Sequence, residues 1–294
     1  MFSKRPDGVR TKGLDYFARM LPFIMNKRYD ASNLVTQYIP YETVKEYIKT
    51  KRQEDKHISF MTIILASYVR ALKKHPMINR FVMNGYIYDR KGIWISFVVL
   101  RPEGETVVKI PFDGDETLFE VDERLNEYIE KARAGVEPTL ADKIMENIFA
   151  VPLIPRFVVG LLKWLDRINC LPKSIIDGSP MHTSLFFTNL ASIKLEPVYH
   201  HIYDFGTTTV FFALGNKFKK LELDKEKNVV EKEYFPIKIV TDERICDGVA
   251  YARAINDFKK LVMHPEVLEK KMERGKMIKI KKNIFSSSKK SDKT

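Results

Sequence analysis

The chain has 294 residues, of which 45% are hydrophobic, 30% charged and 12% aromatic. That is enough for one large α/β domain or two small ones around a real core, and it excludes a disordered or low-complexity chain. The formal charge of +12 is uneven: residues 270–294 hold ten Lys/Arg and two Asp/Glu, a net of +8, which leaves +4 (12 − 8) on the body. Such a tail is expected to be solvated, with weak contact to an anionic surface as a second use and no specific nucleic-acid recognition.

The two cysteines, Cys170 and Cys246, stand in neither a metal-ligand nor a redox spacing. This fits a reducing cytoplasm and predicts no bound metal. The opening "MFSKRPDGVR" lacks the apolar core of a signal peptide, and no run of 18 apolar residues occurs. The nearest stretch, residues 148–165 ("IFAVPLIPRFVVGLLKWL"), is interrupted by Pro152, Pro155, Arg156 and Lys163. It reads as a buried or subunit-facing amphipathic helix, with contact to a membrane surface or an apolar substrate as the alternative.

In chain order, residues 1–14 are polar and extended. "YFARMLPFIMNKRYDASNLV" reads as a helix running into a loop. A strand around Tyr38 turns into a helix near Tyr41, where Val44, Tyr47 and Ile48 share one face. "ISFMTIILASYVRALKKHP" is the strongest helix, with Ser59 as N-cap and a stop before Pro76. "FVMNGYIYDRKGIWISFVVL" reads as a hairpin joined through Asn84-Gly85 and Lys91-Gly92, and "ETVVKIPF" as a further strand. "LFEVDERLNEYIEKARAG" is a helix with Gly135 at its C-terminal cap, followed by a helix-rich apolar segment to Ile176. Three β-runs come next, "TSLFFTNL", "TTVFFALG" and "YFPIKIVT". The last helix buries Tyr251, Ala254, Ile255, Phe258 and Leu261. With no linker dividing the body, the domain expectation is a segment 1–14, one α+β domain over 15–270 and a basic tail over 271–294.

Between the last strand and last helix stands "TDERICDG", Thr241–Gly248. A second "DER" at Asp122–Arg124 sits inside a helical pattern and reads as a solvated face, so the strand–turn–helix setting carries the information. With "HPMINRFV", "LFFTNLASI" and "TTTVFFALG" before it, in that order, the chain resembles the catalytic domain of the 2-oxo acid dehydrogenase dihydrolipoamide acyltransferases, whose fold is shared with chloramphenicol acetyltransferase. These stretches are similar to the family's Pro-x-Leu-Asn, Phe-Thr-x-Ser-Asn-Leu-Gly, Ala-Ile-Leu-x-x-Gly and Asp-His-Arg-x-x-Asp-Gly segments. The resemblance covers about residues 15–270.

It implies an α+β, chloramphenicol-acetyltransferase-like fold: a mixed sheet flanked by helices, assembled as a homotrimer with clefts between subunits. It implies acyl transfer between coenzyme A, as acyl-CoA, and a thiol or hydroxyl acceptor. A base deprotonates the attacking group, and a hydroxyl donor meets the tetrahedral oxyanion across the subunit boundary. By position the hydroxyl falls on Thr188 and the Asp of Asp-Gly on Asp247. Thr188 reads equally as a turn or cross-strand hydroxyl, and Asp247 as the N-cap of the last helix.

The base falls on Glu243, where the family has His. A free carboxylate titrates near 4.3 against about 6.5 for imidazole, so the substitution leaves three readings open. Glu243 is a base tuned by its surroundings; or an imidazole comes from elsewhere, with His200 or His201 of "YHHIYDFG" as candidates and His201 preferred; or transfer is lost and the fold is a trimeric CoA- or partner-binding module. In the third case Glu243 forms a structural ion pair with Arg244 or another base. The catalytic-like region begins near residue 15, so neither a lipoyl nor a peripheral-subunit-binding domain is expected on this chain.

Overall fold

The structure is a computed structural model and describes residues 5–102, 104–134 and 154–272. A seven-stranded mixed sheet organises it. Its strands are β2 (Ser32–Pro40), β5 (Ile93–Arg101), β6 (Gly104–Phe112), β7 (Leu185–Asn189), β8 (Val210–Leu214), β9 (Phe218–Leu223) and β10 (Val229–Asp242). They run in the order β2-β10-β8-β7-β5-β6, and β9 pairs with the first part of β10. β7 is parallel to both β5 and β8; the other pairs in the sheet are antiparallel. A small second sheet of β1 (Gly8–Arg10), β4 (Tyr86–Arg90) and β3 (Phe81–Met83) lies beside it.

The alternation along the strands decides which face is covered. Leu185, Phe187, Val210, Phe212, Ile237 and Ile239 point to one face and join the main core. That core is completed by α3 (Phe60–Lys74), α4 (Leu118–Arg133) and α7 (Gly248–Met263), with α2 (Glu42–Gln53) at the edge; α5 (Ile154–Arg167) and the short α6 (Lys173–Gly178) come between α4 and α7 in the chain. Phe186, Phe211 and Val240 point the other way, into a smaller cluster with Ile202. The expected mixed sheet flanked by helices is the observed one.

Local chemistry explains where the helices start. Ser59 accepts a hydrogen bond from Thr62 N at 3.0 Å as N-cap of α3. Thr117 and Glu120 form a full capping box on α4. α4 ends at Arg133 with Ala134 as its C-cap; the cap expected at Gly135 lies outside the described residues. α1 (Tyr16–Ile24) starts at Asp15, whose carboxylate accepts from Ala18 N at 2.8 Å.

The expected hairpin is corrected. Asn84 and Gly85 take positive φ angles of 48° and 77°, as a two-residue turn with the hairpin's own twist requires, and join β3 to β4. The second turn at Lys91-Gly92 does not pair β4 with β5; it passes the chain from the small sheet into the large one. Two short strands went unread: β9, whose "FKKLEL" is mostly exposed and lacks an apolar run, and the three-residue β1.

Candidate active site

Strand β10 ends at Asp242, and the chain turns through a short 3-10 segment, Glu243–Ile245, before Asp247 opens α7. Each charged residue in this turn has a different assignment. Asp242 is 1% exposed and accepts from Arg244 three times: from N at 3.1 Å, Nε at 2.8 Å and Nη2 at 2.6 Å. Arg244, 4% exposed, also donates through Nη1 to the Met25 carbonyl at 2.7 Å. A buried bidentate pair of this kind fixes the turn and tethers it to the end of α1. Asp247 is exposed and accepts from Ala250 N at 2.8 Å, the N-cap of α7.

That leaves Glu243. Its backbone N donates to the Ala31 carbonyl at 2.9 Å, while its carboxylate has no hydrogen-bond or ion-pair partner among the described residues. The ion pair with Arg244 expected for a structural Glu243 is therefore corrected: Arg244 is taken by Asp242, the residue before. The i,i+2 spacing across the turn brings Asp242 and Arg244 together and leaves the middle side chain to point elsewhere.

Glu243 lines a cavity of about 480 Å³ between α1, α3 and α7. The walls are largely apolar, with Leu14, Phe17, Leu21, Tyr68, Ile245 and Tyr251 among them. Other ionisable groups on the wall are already engaged: Asp15 caps α1, Arg80 pairs with Asp89 at 2.7 Å, and Asp242 holds Arg244. Burial pushes the Cys246 thiol up to about 11 and the Tyr251 hydroxyl up to about 12, and holds the Tyr68 hydroxyl well above its ordinary range. These three keep their protons at neutral pH. Among the described residues, Glu243 is the unengaged carboxylate of this cavity.

Thr188 lies elsewhere. It is 8% exposed and sits on the sheet face opposite the helices, in register with Ala213 on β8 and, through it, Lys238 on β10. Its hydroxyl has no hydrogen-bond partner among the described residues. Glu243 follows Lys238 by five positions and stands two strands across, so the two are roughly 15–20 Å apart within one chain. A single chain does not bring them together.

The imidazole on the Thr188 side is His200, where His201 was expected. His201 is solvent-exposed. His200 stacks on Phe211, with ring centroids 4.4 Å apart and planes 14° off parallel, and Phe211 is in register with Phe186, two residues before Thr188. Burial, with a smaller push from His201, lowers the His200 pKa, so the ring is neutral; its Nε2 has no hydrogen-bond partner among the described residues. Tyr199 pins this loop, its hydroxyl 2.7 Å from Thr36 Oγ1 and the Lys238 ammonium 4.7 Å from its ring centre.

Sequence reasoning missed Asp242 as the partner of Arg244, and missed Tyr68 and Cys246 as cavity wall. Asp242 carried a signal, since an acid two residues before a base at a strand end can close on it. Tyr68 carried none, being one apolar position among many on α3. No group of three or more His, Cys, Asp or Glu able to hold a metal occurs among the described residues.

Residues 20–139 match the family model of 2-oxoacid dehydrogenases acyltransferase (catalytic domain), a stretch running from α1 through α4 that precedes Thr188 and Glu243. No curated protein sequence matches the chain significantly. Among solved structures, the chain is similar to a probable dihydrolipoamide acetyltransferase from Listeria monocytogenes, at 12% identity and a TM-score of 0.57, over 87% of this chain and 94% of that one. The cubic core of the pyruvate dehydrogenase multienzyme complex gives 12% identity and 0.56, over 88% and 94%. The truncated catalytic core of the 2-oxoacid dehydrogenase multienzyme complex from Thermoplasma acidophilum gives 15% and 0.53, over 87% and 98%. The resemblance to the 2-oxo acid dehydrogenase acyltransferase catalytic domain thus holds, by the family's own model over residues 20–139 and by fold over most of the chain.

Proposed function

We propose that the chain is a CoA-dependent acyltransferase that moves an acyl group between acyl-CoA and a thiol or hydroxyl acceptor, with Glu243 as general base. The observation that carries this reading is the unengaged Glu243 carboxylate in a largely apolar cavity, on a turn whose other charges are spoken for. The base takes the proton of the acceptor S–H or O–H as the acceptor attacks the thioester carbonyl. The oxyanion that forms accepts a hydrogen bond from the Thr188 hydroxyl. Collapse breaks the carbon–sulfur bond to CoA, and the proton held by Glu243 goes to the departing thiolate.

The separation of Glu243 and Thr188 within one chain supports a trimer, in which the threonine of one protomer faces the glutamate of the next. The working domain is residues 15–270 on this reading, and Asp247 acts by holding the turn through its cap. Acetyl-CoA with a dithiol acceptor such as dihydrolipoamide is the first assay. Glu243→Gln is expected to lower kcat/KM by at least about a hundredfold, the usual worth of a general base. Unchanged turnover would remove Glu243 from the mechanism.

A second reading rests on His200, whose neutral, unpartnered imidazole lies on the Thr188 face. There the base and the hydroxyl come from one chain. Loss of turnover in His200→Gln, with Glu243→Gln still active, selects it. CoA binding with no turnover on any acceptor selects a non-catalytic module.

A further inference from the structure

Helix α5 (Ile154–Arg167) is fastened to the body at its C-terminal end. Arg5 donates to the Asp166 carbonyl and carboxylate, both at 2.8 Å, and His182 Nε2 meets the other carboxylate oxygen at 3.2 Å. From that anchor the helix turns a row of large apolar side chains to solvent: Ile154, Phe157, Leu161 and Trp164 are 40%, 73%, 42% and 56% exposed. Of the expected buried or subunit-facing amphipathic helix over 148–165, the buried alternative is corrected for residues 154–165; residues 148–153 lie outside the described residues. Steps of three, four and three residues put the four on a stripe about 80° wide.

The charges on α5 are as one-sided as its apolar row. Arg156, Lys163 and Arg167 are exposed and fall within about 40° of each other, beside the stripe. Asp166, the helix's one acid, is consumed in the anchor. Lys163 and Arg167 line a cleft shared with Phe23 of α1, and Phe23 and Ile24 are themselves 60% and 59% exposed.

We infer that α5 lies flat on a lipid bilayer bearing anionic headgroups. The stripe enters the boundary between headgroups and acyl chains, and Arg156, Lys163 and Arg167 reach up to lipid phosphates. A tryptophan and a phenylalanine flanked by long basic side chains suit that interface, because the stems bury while the charged ends stay wet. Pairing with the same helix of a second copy would set cations against cations, with no exposed acid on α5 to offset them; a head-to-tail contact with another face of a neighbouring copy is what the oligomeric state of the stripe variant tests. No helix among the described residues is long and apolar enough to cross a membrane, so the contact is at the surface.

The test is flotation of the full chain with phosphatidylcholine vesicles, with and without a minor share of phosphatidylserine. The wild type is expected to float with the anionic vesicles, and the Trp164 emission, read in a Trp94→Phe background, to shift to the blue. Phe157→Ser with Trp164→Ser should lower the partition coefficient at least about tenfold while leaving the far-ultraviolet circular dichroism unchanged. Lys163→Gln with Arg167→Gln should lower it on anionic vesicles only. A wild type that stays with the soluble fraction overturns the inference. So does a Phe157→Ser/Trp164→Ser variant that floats like the wild type, which would assign binding to other basic segments, or one that changes the oligomeric state, which would assign the stripe to another copy.

Discussion

Three neighbouring residues of one turn divide into a buried ion pair and an unengaged carboxylate. Asp242 and Arg244 bury their charges in each other, while Glu243 between them is left without a partner in the cavity. Breaking the pair leaves a buried charge uncompensated, so Asp242→Asn is expected to lower stability by about 3–5 kcal/mol, read from urea unfolding. The cavity wall predicts the opposite sign for another change. The Tyr68 hydroxyl is buried without a hydrogen-bond partner among the described residues. Tyr68→Phe removes that hydroxyl and keeps the ring against Phe212 and Phe258, so the midpoint of thermal unfolding should rise, by the equivalent of about 1 kcal/mol. A fall would mean the hydroxyl is satisfied in solution. At this scale the sequence revealed which residues occupy the turn but not how they pair. The resemblance assigned roles to Glu243, Thr188 and Asp247 by position in the motif; that Arg244 turns back to Asp242 depends on a 3-10 turn that the residue types do not dictate.

Elements were legible wherever one face is buried and the caps are polar. α3 and α7 carry that pattern with Ser59 and Asp247 at their starts, and each starts there; α4 starts at Thr117, a cap not read from the sequence. The parallel β5-β7-β8 core was legible as apolar runs but not as a pairing, since register comes from contacts distant in sequence. The amphipathic character of α5 was legible, but an apolar stripe looks the same in sequence whether it faces a core, a neighbouring subunit or a bilayer, so what covers it was not. Its anchor has a measurable pH signature. Burial lowers the His182 pKa despite Asp166 beside it, so the ring is neutral when folded and readily protonated when unfolded. Stability from this group is present above the ordinary histidine value near 6.5 and is lost as pH falls below it. The wild-type thermal midpoint should therefore drop on acidification through that window. His182→Gln, which keeps a donor for Asp166 but does not titrate there, should flatten the dependence; an unchanged slope in that variant would assign the pH effect to another group.

At the scale of the molecule, the sheet separates the two parts of the proposed chemistry. β10 carries Glu243 beyond its end, at the helix-covered side near α1, whereas Thr188 lies two strands away on the opposite face. On the acyltransferase reading, each active site draws its base from one protomer and its oxyanion donor from the next, and each variant alone keeps only residual turnover. The measurement that addresses this most directly mixes them: Glu243→Gln and Thr188→Val chains are co-expressed, purified as one assembly and assayed with acetyl-CoA and dihydrolipoamide. Random mixing in a trimer with head-to-tail interfaces regenerates one intact site in each mixed assembly, so about a quarter of wild-type activity should return. Activity that stays at the level of the two separate variants would contradict a shared site and leave Glu243 and Thr188 without a common role.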